Sequence, residues 1–424
     1  MVRTSLPLGR KSLRGMASAF AFAASLAGVA VVGTGLTAVS AAAQDSRQPQ
    51  NSRGFAQAYQ PVADIANAED GDIAAARAQL PTVIAAIEND TDRFVAGNLV
   101  LIVGNKANDS ALQRQGLELM LESGQTPEEQ VAQFQFFVGN LALAQNDYAA
   151  ARTALEAAQA AGYTDDNIEG LIAESYFQDG NAAQGLAYLK GAIEQRTAAG
   201  QPVENQWLLR GLKVAYDAND PAAATEWSTL LVKSSPSEEN WTNAIQVVNA
   251  VNQFDTQAEL DLLRLMLATN TLKERRDFVT YIEAADPRIM ANEVARVLAA
   301  GTQAGIFTAS DEYYIDVKRV VDQRAPEDQA EAPSLAQEAS SSASGNAAQS
   351  AGDVFYSLAD YAQAEAMYKM AVDKGADRER NLTRLGIAQA QQGKHADARA
   401  TFEQVSGARA PVAQLWTAYV ESQA

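Results

Sequence analysis

Apolar residues recur through this chain at spacings of three and four, and no stretch alternates with a period of two over several strands. Such spacings put side chains on one face of a helix, so the pattern predicts an all-α chain of short amphipathic helices. Its sharpest form is a four-point motif. Gly352 is followed by Ala364, Tyr368 and Ala371, and Gly386 by Ala398, Phe402 and Val405. The offsets are 12, 16 and 19 in both copies, which lie 34 residues apart. The same offsets and separation recur where Gly139 precedes Ala151, Leu155 and Ala158, and Ala173 precedes Gly185, Leu189 and Ala192. A small residue where two helices cross lets their axes approach, and the large residue sixteen positions on fills the gap beside it. One hairpin cannot bury its stripe alone, so serial copies predict a stack.

Around these copies the pattern is weaker. Gln44–Arg53 is polar. From Gly54 a first helix is expected with Pro61 in its first turn. A second helix follows Gly71-Asp72, carrying Ile73, Ala76, Leu80, Val83 and Ile87, with Pro81 kinking or dividing it. The next hairpin is expected to start at Asp92 as N-cap, to turn at Asn108-Asp109 and to return to Gly124. A fifth spans Asn205–Val232, with Trp207 early and Ala224, Trp227 and Leu231 on the return, and Pro236 ends it. Over 237–322 the motif decays. Trp241, Val247, Val248 and Val251 form one stripe, Leu260, Leu263, Met266 and Leu267 another, and Asp286-Pro287 opens a helix with Ile289, Val294, Val297 and Leu298. Residues 323–346, rich in Ala, Ser, Glu and Pro and free of aromatics, read as a mobile linker, with a short helix open to Ser334–Ala339; the alternative is that the segment fills the gap in a continuous superhelix. Pro411 starts a last helix with Leu415, Trp416 and Tyr419.

The motif over 131–192 and 347–405 resembles the tetratricopeptide repeat. The resemblance implies a right-handed α-solenoid: an N-terminal array over 54–322, clearest at 131–192 and degenerate at 237–322, then a C-terminal pair with a capping helix over 347–424. It also implies that the first helix of each hairpin lines a concave wall. On this chain those positions are Phe136, Asn140, Leu143, Glu174, Phe177, Asp353, Tyr356, Thr383 and Ile387. Aromatics interleaved with amides and carboxylates suit an extended peptide. The bland alternative is that Phe136, Phe177 and Tyr356 merely pack onto adjacent repeats. The family serves many processes, so the resemblance implies a protein-binding scaffold without fixing its partner.

Composition sharpens this in three ways. Met1–Gly15 carries Arg3, Arg10, Lys11 and Arg14 and no acid, and an uncharged run over 16–39 leads to Ala41-Ala42-Ala43. That is the pattern of a secretory signal peptide over 1–43, and it places the mature chain in the periplasm; an uncleaved inner-membrane signal anchor is the alternative. Cysteine is absent, which excludes disulfides, thiolate metal sites and a lipoprotein anchor. Acids outnumber bases by 52 to 33. The excess lies in front: residues 44–352 hold 43 acids against 21 bases, and residues from Asp353 hold 9 against 8. Such a charge repels phosphate backbones, so nucleic acid is not an expected partner; the bland reading of the excess is solubility, and the sharper one is attraction to a basic protein or peptide.

The sequence offers no catalytic constellation. His395 is the sole histidine, placed in the turn of the last repeat, and there is no nucleophile elbow, zinc motif or phosphate loop. Asp90 and Asp92 start like a calcium loop but lack its later glycine and glutamate. No enzyme, cofactor or metal is therefore expected. The expectation is a non-catalytic adaptor, with a role in cell-envelope assembly as its setting. The alternative is an enzyme or enzyme subunit with a carboxylate site in 237–322.

Overall fold

The computed structural model describes residues 50–423 other than 166. The expected leader lies outside the described residues. The chain from Asn51 forms one unit, and its described residues hold helices and no strand.

The first four hairpins are α1 (Arg53–Asn67) with α2 (Ile73–Ala85), α3 (Asp90–Ala107) with α4 (Ser110–Glu122), α5 (Glu128–Ala144) with α6 (Tyr148–Ala160), and α7 (Ile168–Gln178) with α8 (Ala182–Ala198). Then come α9 (Asn205–Asp217) with α10 (Pro221–Ser234), α11 (Glu238–Val251) with α12 (Thr256–Ala268), and α13 (Arg275–Ala285) with α14 (Ala291–Gln303). A single long helix, α15 (Glu312–Ser341), precedes α16 (Gly345–Ser357) with α17 (Tyr361–Asp373), α18 (Arg378–Gln391) with α19 (His395–Phe402), and the last helix, α20 (Ala410–Ser422).

Within the hairpins the expected packing is present. An added Cβ on Gly139, Gly211, Gly352 or Gly386 would collide with Leu155, Trp227, Tyr368 or Phe402, in each case the residue sixteen positions on. Aspartates start many of the helices. Asp72, Asp109, Asp147, Asp220 and Asp360 each accept a backbone N–H of the helix they precede, a cap worth about 1 kcal/mol. Two of these aspartates, together with Asp179, also link one repeat to the next. Arg77 on α2 pairs with Asp109, Arg114 on α4 with Asp147 at 2.8 Å, and Arg152 on α6 with Asp179 at 2.8 Å. Each basic residue thus reaches the turn of the following hairpin, so one ladder of ion pairs runs along the second helices.

Several local expectations need correction. Asp92 is not the N-cap of α3; Asn89 is. Asp92 is wholly buried and accepts Ser52 N at 2.8 Å and Glu88 N at 3.1 Å, tying the start of α1 to the end of the first hairpin. Pro61 lies in the interior of α1, and Pro81 leaves α2 a single helix. Ile289 lies in the connection before α14, 55 % exposed.

The larger correction concerns 323–346. Residues 323–341 are not a linker but the second half of α15, which runs through Pro326 and Pro333. Asp328, Ala332 and Ala339 are buried on one face of it. Alanine supplies both the helix propensity and the close approach there, and Leu335 packs beside these residues. Lys374 closes the helix end, donating to Ala339 O at 2.6 Å, Ser340 O at 3.0 Å and Ser342 O at 2.7 Å. One apolar cluster accordingly runs without a break from Val232 to Val420.

The C-terminal repeats also turn back on the middle of the chain. α20 covers the end of α19, where Phe402 stacks on Trp416, which meets the expectation of a capping helix. It packs against α10 and α12 as well, α18 meets α12, and α16 meets α14. The segment from α10 to α20 is therefore closed by its own last helix.

Candidate functional site

The nine residues expected on an inner wall fall into two groups. Phe136, Asn140, Leu143, Glu174 and Phe177, on α5 and α7, are half-buried. Asp353, Tyr356, Thr383 and Ile387, on α16 and α18, are buried. The wall is thus open on the first group and covered on the second, and the covering is done by the chain itself.

On the open part, neighbouring repeats use much of each side chain. The Phe136 ring stacks on Tyr163 with centroids 4.4 Å apart. Asn140 donates to Phe136 O at 2.9 Å, and Leu143 packs near Leu155 and Ile168. Arg210 of α9 donates Nε and Nη2 to Glu174 at 2.8 and 2.9 Å, with its guanidinium 5.1 Å from the Phe177 ring centroid. These contacts fit the bland reading of the aromatics, yet Glu174 keeps 19 % and Arg210 32 % of its side chain exposed. The surroundings are acidic. Residues 51–236 hold 24 acids and 11 bases. Nine of those bases stand in ion pairs. Lys106 is engaged by Ala66 O at 2.6 Å. The surplus carboxylates therefore face solvent with few local countercharges.

On the covered part, three helices each contribute a polar stripe at helical spacing: Gln257, Asp261 and Arg264 on α12, Asp353 and Tyr356 on α16, Arg380 and Arg384 on α18. Gln257 Oε1 accepts Arg380 Nη2 at 3.0 Å and Arg384 Nη2 at 2.7 Å. Asp261 accepts Arg264 at 2.8 Å, Arg384 at 3.3 Å and Arg409 at 2.7 Å. Asp353 accepts Tyr368 Oη at 2.8 Å, Arg380 at 2.9 Å and Arg384. Arg264 continues to Glu293 of α14 at 2.8 Å, with its guanidinium 4.1 Å from the Tyr356 ring centroid. Ser357 Oγ accepts Glu293 N at 3.0 Å. Trp416 of α20 donates Nε1 to Asp261 O at 2.9 Å. Thr383 turns back to Glu379 O at 2.7 Å.

The electrostatics are those of a structural network. Burial alone would raise Asp261, but Arg384, Arg264 and Arg409 hold its carboxyl below the usual range. Burial would likewise raise Glu293, which Arg264 and the Tyr281 hydroxyl hold down. Burial lowers Arg380, helped by the like charge of Arg384. A carboxylate serving as a general acid near neutral pH needs its pKa raised, and these two in the 237–322 segment are held the other way. Asp277 is raised by burial, but its neighbour is Arg276 at 3.6 Å. Among the described residues no group of His, Asp and Glu is arranged to hold a metal ion.

Sequence reasoning missed Gln257, Asp261, Arg264, Glu293, Arg380, Arg384 and Arg409. One signal was present: from Leu260 to Ala268 α12 is apolar except at Asp261 and Arg264, as a helix enclosed by protein must be.

No family model and no curated protein matches the sequence. Among solved structures, the chain is similar to the TPR2AB domain of yeast Sti1 in a pHSP90 complex, at 15 % identity and a TM-score of 0.26, over 69 % of this chain and 95 % of that one. It is also similar to Naa15/Naa10 bound to HypK-THB, at 15 % identity and a TM-score of 0.39, over 85 % of this chain and 60 % of that one. Likenesses this distant carry no functional argument. The fold assignment stands on the helix pairs themselves: serial hairpins, four of them with a glycine seated against the large residue sixteen positions on, form a tetratricopeptide-like all-α protein.

Proposed function

We propose that this protein is an exported, non-catalytic scaffold that holds other proteins along the first helices of its N-terminal hairpins, in the assembly of the cell envelope. The observation that carries the reading is the contrast between its two halves. Phe136, Asn140, Leu143, Glu174 and Phe177 remain partly exposed on successive hairpins, whereas the equivalent positions of the C-terminal repeats are filled from within. The surplus of carboxylates on the first half favours basic partners, and their attraction should weaken as salt is added. Export rests on the basic, apolar and small-residue pattern of the first 43 residues. Among the described residues no helix is long and apolar enough to cross a membrane.

A photo-crosslinking amino acid at position 177 or 140 tests the binding face, with position 387 as the buried control. Adducts of defined mass at 177 and 140 in envelope extract, absent at 387 and reduced by 0.5 M salt, support the reading. An equal pattern at all three positions refutes it. N-terminal sequencing of the mature chain tests export separately, with Gln44 as the expected first residue.

A further inference from the structure

The inner face of the C-terminal repeats is not empty surface awaiting a guest; part of the chain already lies on it. We infer that α12 is a built-in occupant of the face formed by α16 and α18, an autoinhibitory contact that keeps this second binding surface closed. The inference does not depend on what the N-terminal hairpins bind.

Three observations carry it. First, the bonds that fill the face come from far along the sequence. Gln257 and Asp261 reach Arg380, Arg384 and Arg409 across separations of 123 to 148 residues. They are not the bonds by which one repeat holds the next. Second, the chemistry is that of a recognised segment. α12 offers one amide oxygen and one carboxylate, four residues apart, and guanidiniums on α18 and before α20 converge on them. Third, the hydrogen bonds that cross the seam are charged or amide on both sides, although Leu260, Leu262 and Leu265 of α12 lie in one apolar cluster with Ile387 of α18 and Trp416 of α20. The buried ion pairs are the weaker part of that hold, because burying charges offsets most of what pairing them gains. An acidic helical segment with an amide and a carboxylate at the same spacing has the chemistry to take its place.

The absence of cysteine makes the test clean. Thr256→Cys and Arg378→Cys, both exposed and on opposite sides of the seam, take a pair of spin labels on an otherwise unreactive chain. The wild-type background is expected to give one narrow distance, and Gln257→Leu with Asp261→Asn to add a longer population. A synthetic peptide copying residues 254–268 should bind that double variant at least tenfold more tightly than the wild-type background. The same peptide carrying Asp261→Asn should bind neither. A double variant that keeps its helices and its single wild-type distance overturns the inference, as does equal binding of the two peptides. If the double variant loses its helices, Arg380→Gln replaces it, since Arg380 lies at the partly exposed rim of the seam and that change removes only its bonds to Gln257 and Asp353. A widened distance then supports the contact, and an unchanged one refutes it.

Discussion

Gln257 is a neutral acceptor between two guanidiniums, at 3.0 Å from Arg380 and 2.7 Å from Arg384. Replacing it by glutamate changes almost no shape and adds one negative charge between two guanidiniums, where burial first and the like charge of Arg384 second lower Arg380. At an effective dielectric of about 20, two contacts near 3 Å attract by about 11 kcal/mol together. Repulsion from Asp261, one helical turn away, and from Asp353, each taken at about 5 Å, offsets about 7 kcal/mol. Burying a new carboxylate costs several kcal/mol more. The balance for Gln257→Glu is a gain of about 1 kcal/mol, or a melting temperature higher by about 2 °C. Gln257→Leu should instead lower stability by about 2–3 kcal/mol, since it leaves both guanidiniums short of an acceptor. Urea titrations of the purified full chain, followed by circular dichroism, read both changes. A glutamate variant less stable than wild type, together with a leucine variant equal to it, would refute the account of the seam as short of negative charge.

Two further outcomes follow from the same geometry. Lys374→Met removes a cation from the C-terminal end of α15, where it meets three carbonyls, and should cost about 1–2 kcal/mol; amide exchange at 335–342 should speed up before that of α16. Asp261 and Glu293 are both held below their unfolded pKa, so the unfolded chain binds more protons as pH falls into the carboxylate range. Their contribution is therefore fully present above the unfolded value of about 4 and is lost as pH drops below it through the depressed folded values. The urea midpoint should fall between pH 5 and 3, and the fall should be shallower in Asp261→Asn.

The hairpins could be read from the sequence because their determinants are local. A glycine and its partner sixteen residues on meet inside one helix pair, so spacing alone reports the contact. Tyr368 and Phe402 were legible for that reason, and Trp416 was legible as a cover for the last repeat. The closure was not, because Asp261 meets Arg409 across 148 residues and nothing in the local pattern of either marks the meeting. Charged residues in a divergent helix read as solvated face, and here they are the inside. Composition also misled at 323–341. Proline and serine argue for loose chain, but Ala332, Leu335 and Ala339 follow one another at helical spacing, and the two prolines fall on its exposed side. Of the inner-wall positions, the sequence placed each on its helix. It could not tell which would be covered, since covering depends on distant elements.

The position of α20 ties the middle of the protein to residues translated long after it. α10, α11 and α12 leave the ribosome well before the helix that covers them, so Asp261 and the surroundings of Trp241 wait for a late arrival. A nonsense mutation removing residues from 410 onward would thus uncover Phe402 of the repeat beside it and also act far from the stop. The distant effect would surface near residue 260, where proteases and chaperones would meet an exposed flank in a chain whose first five hairpins had already formed.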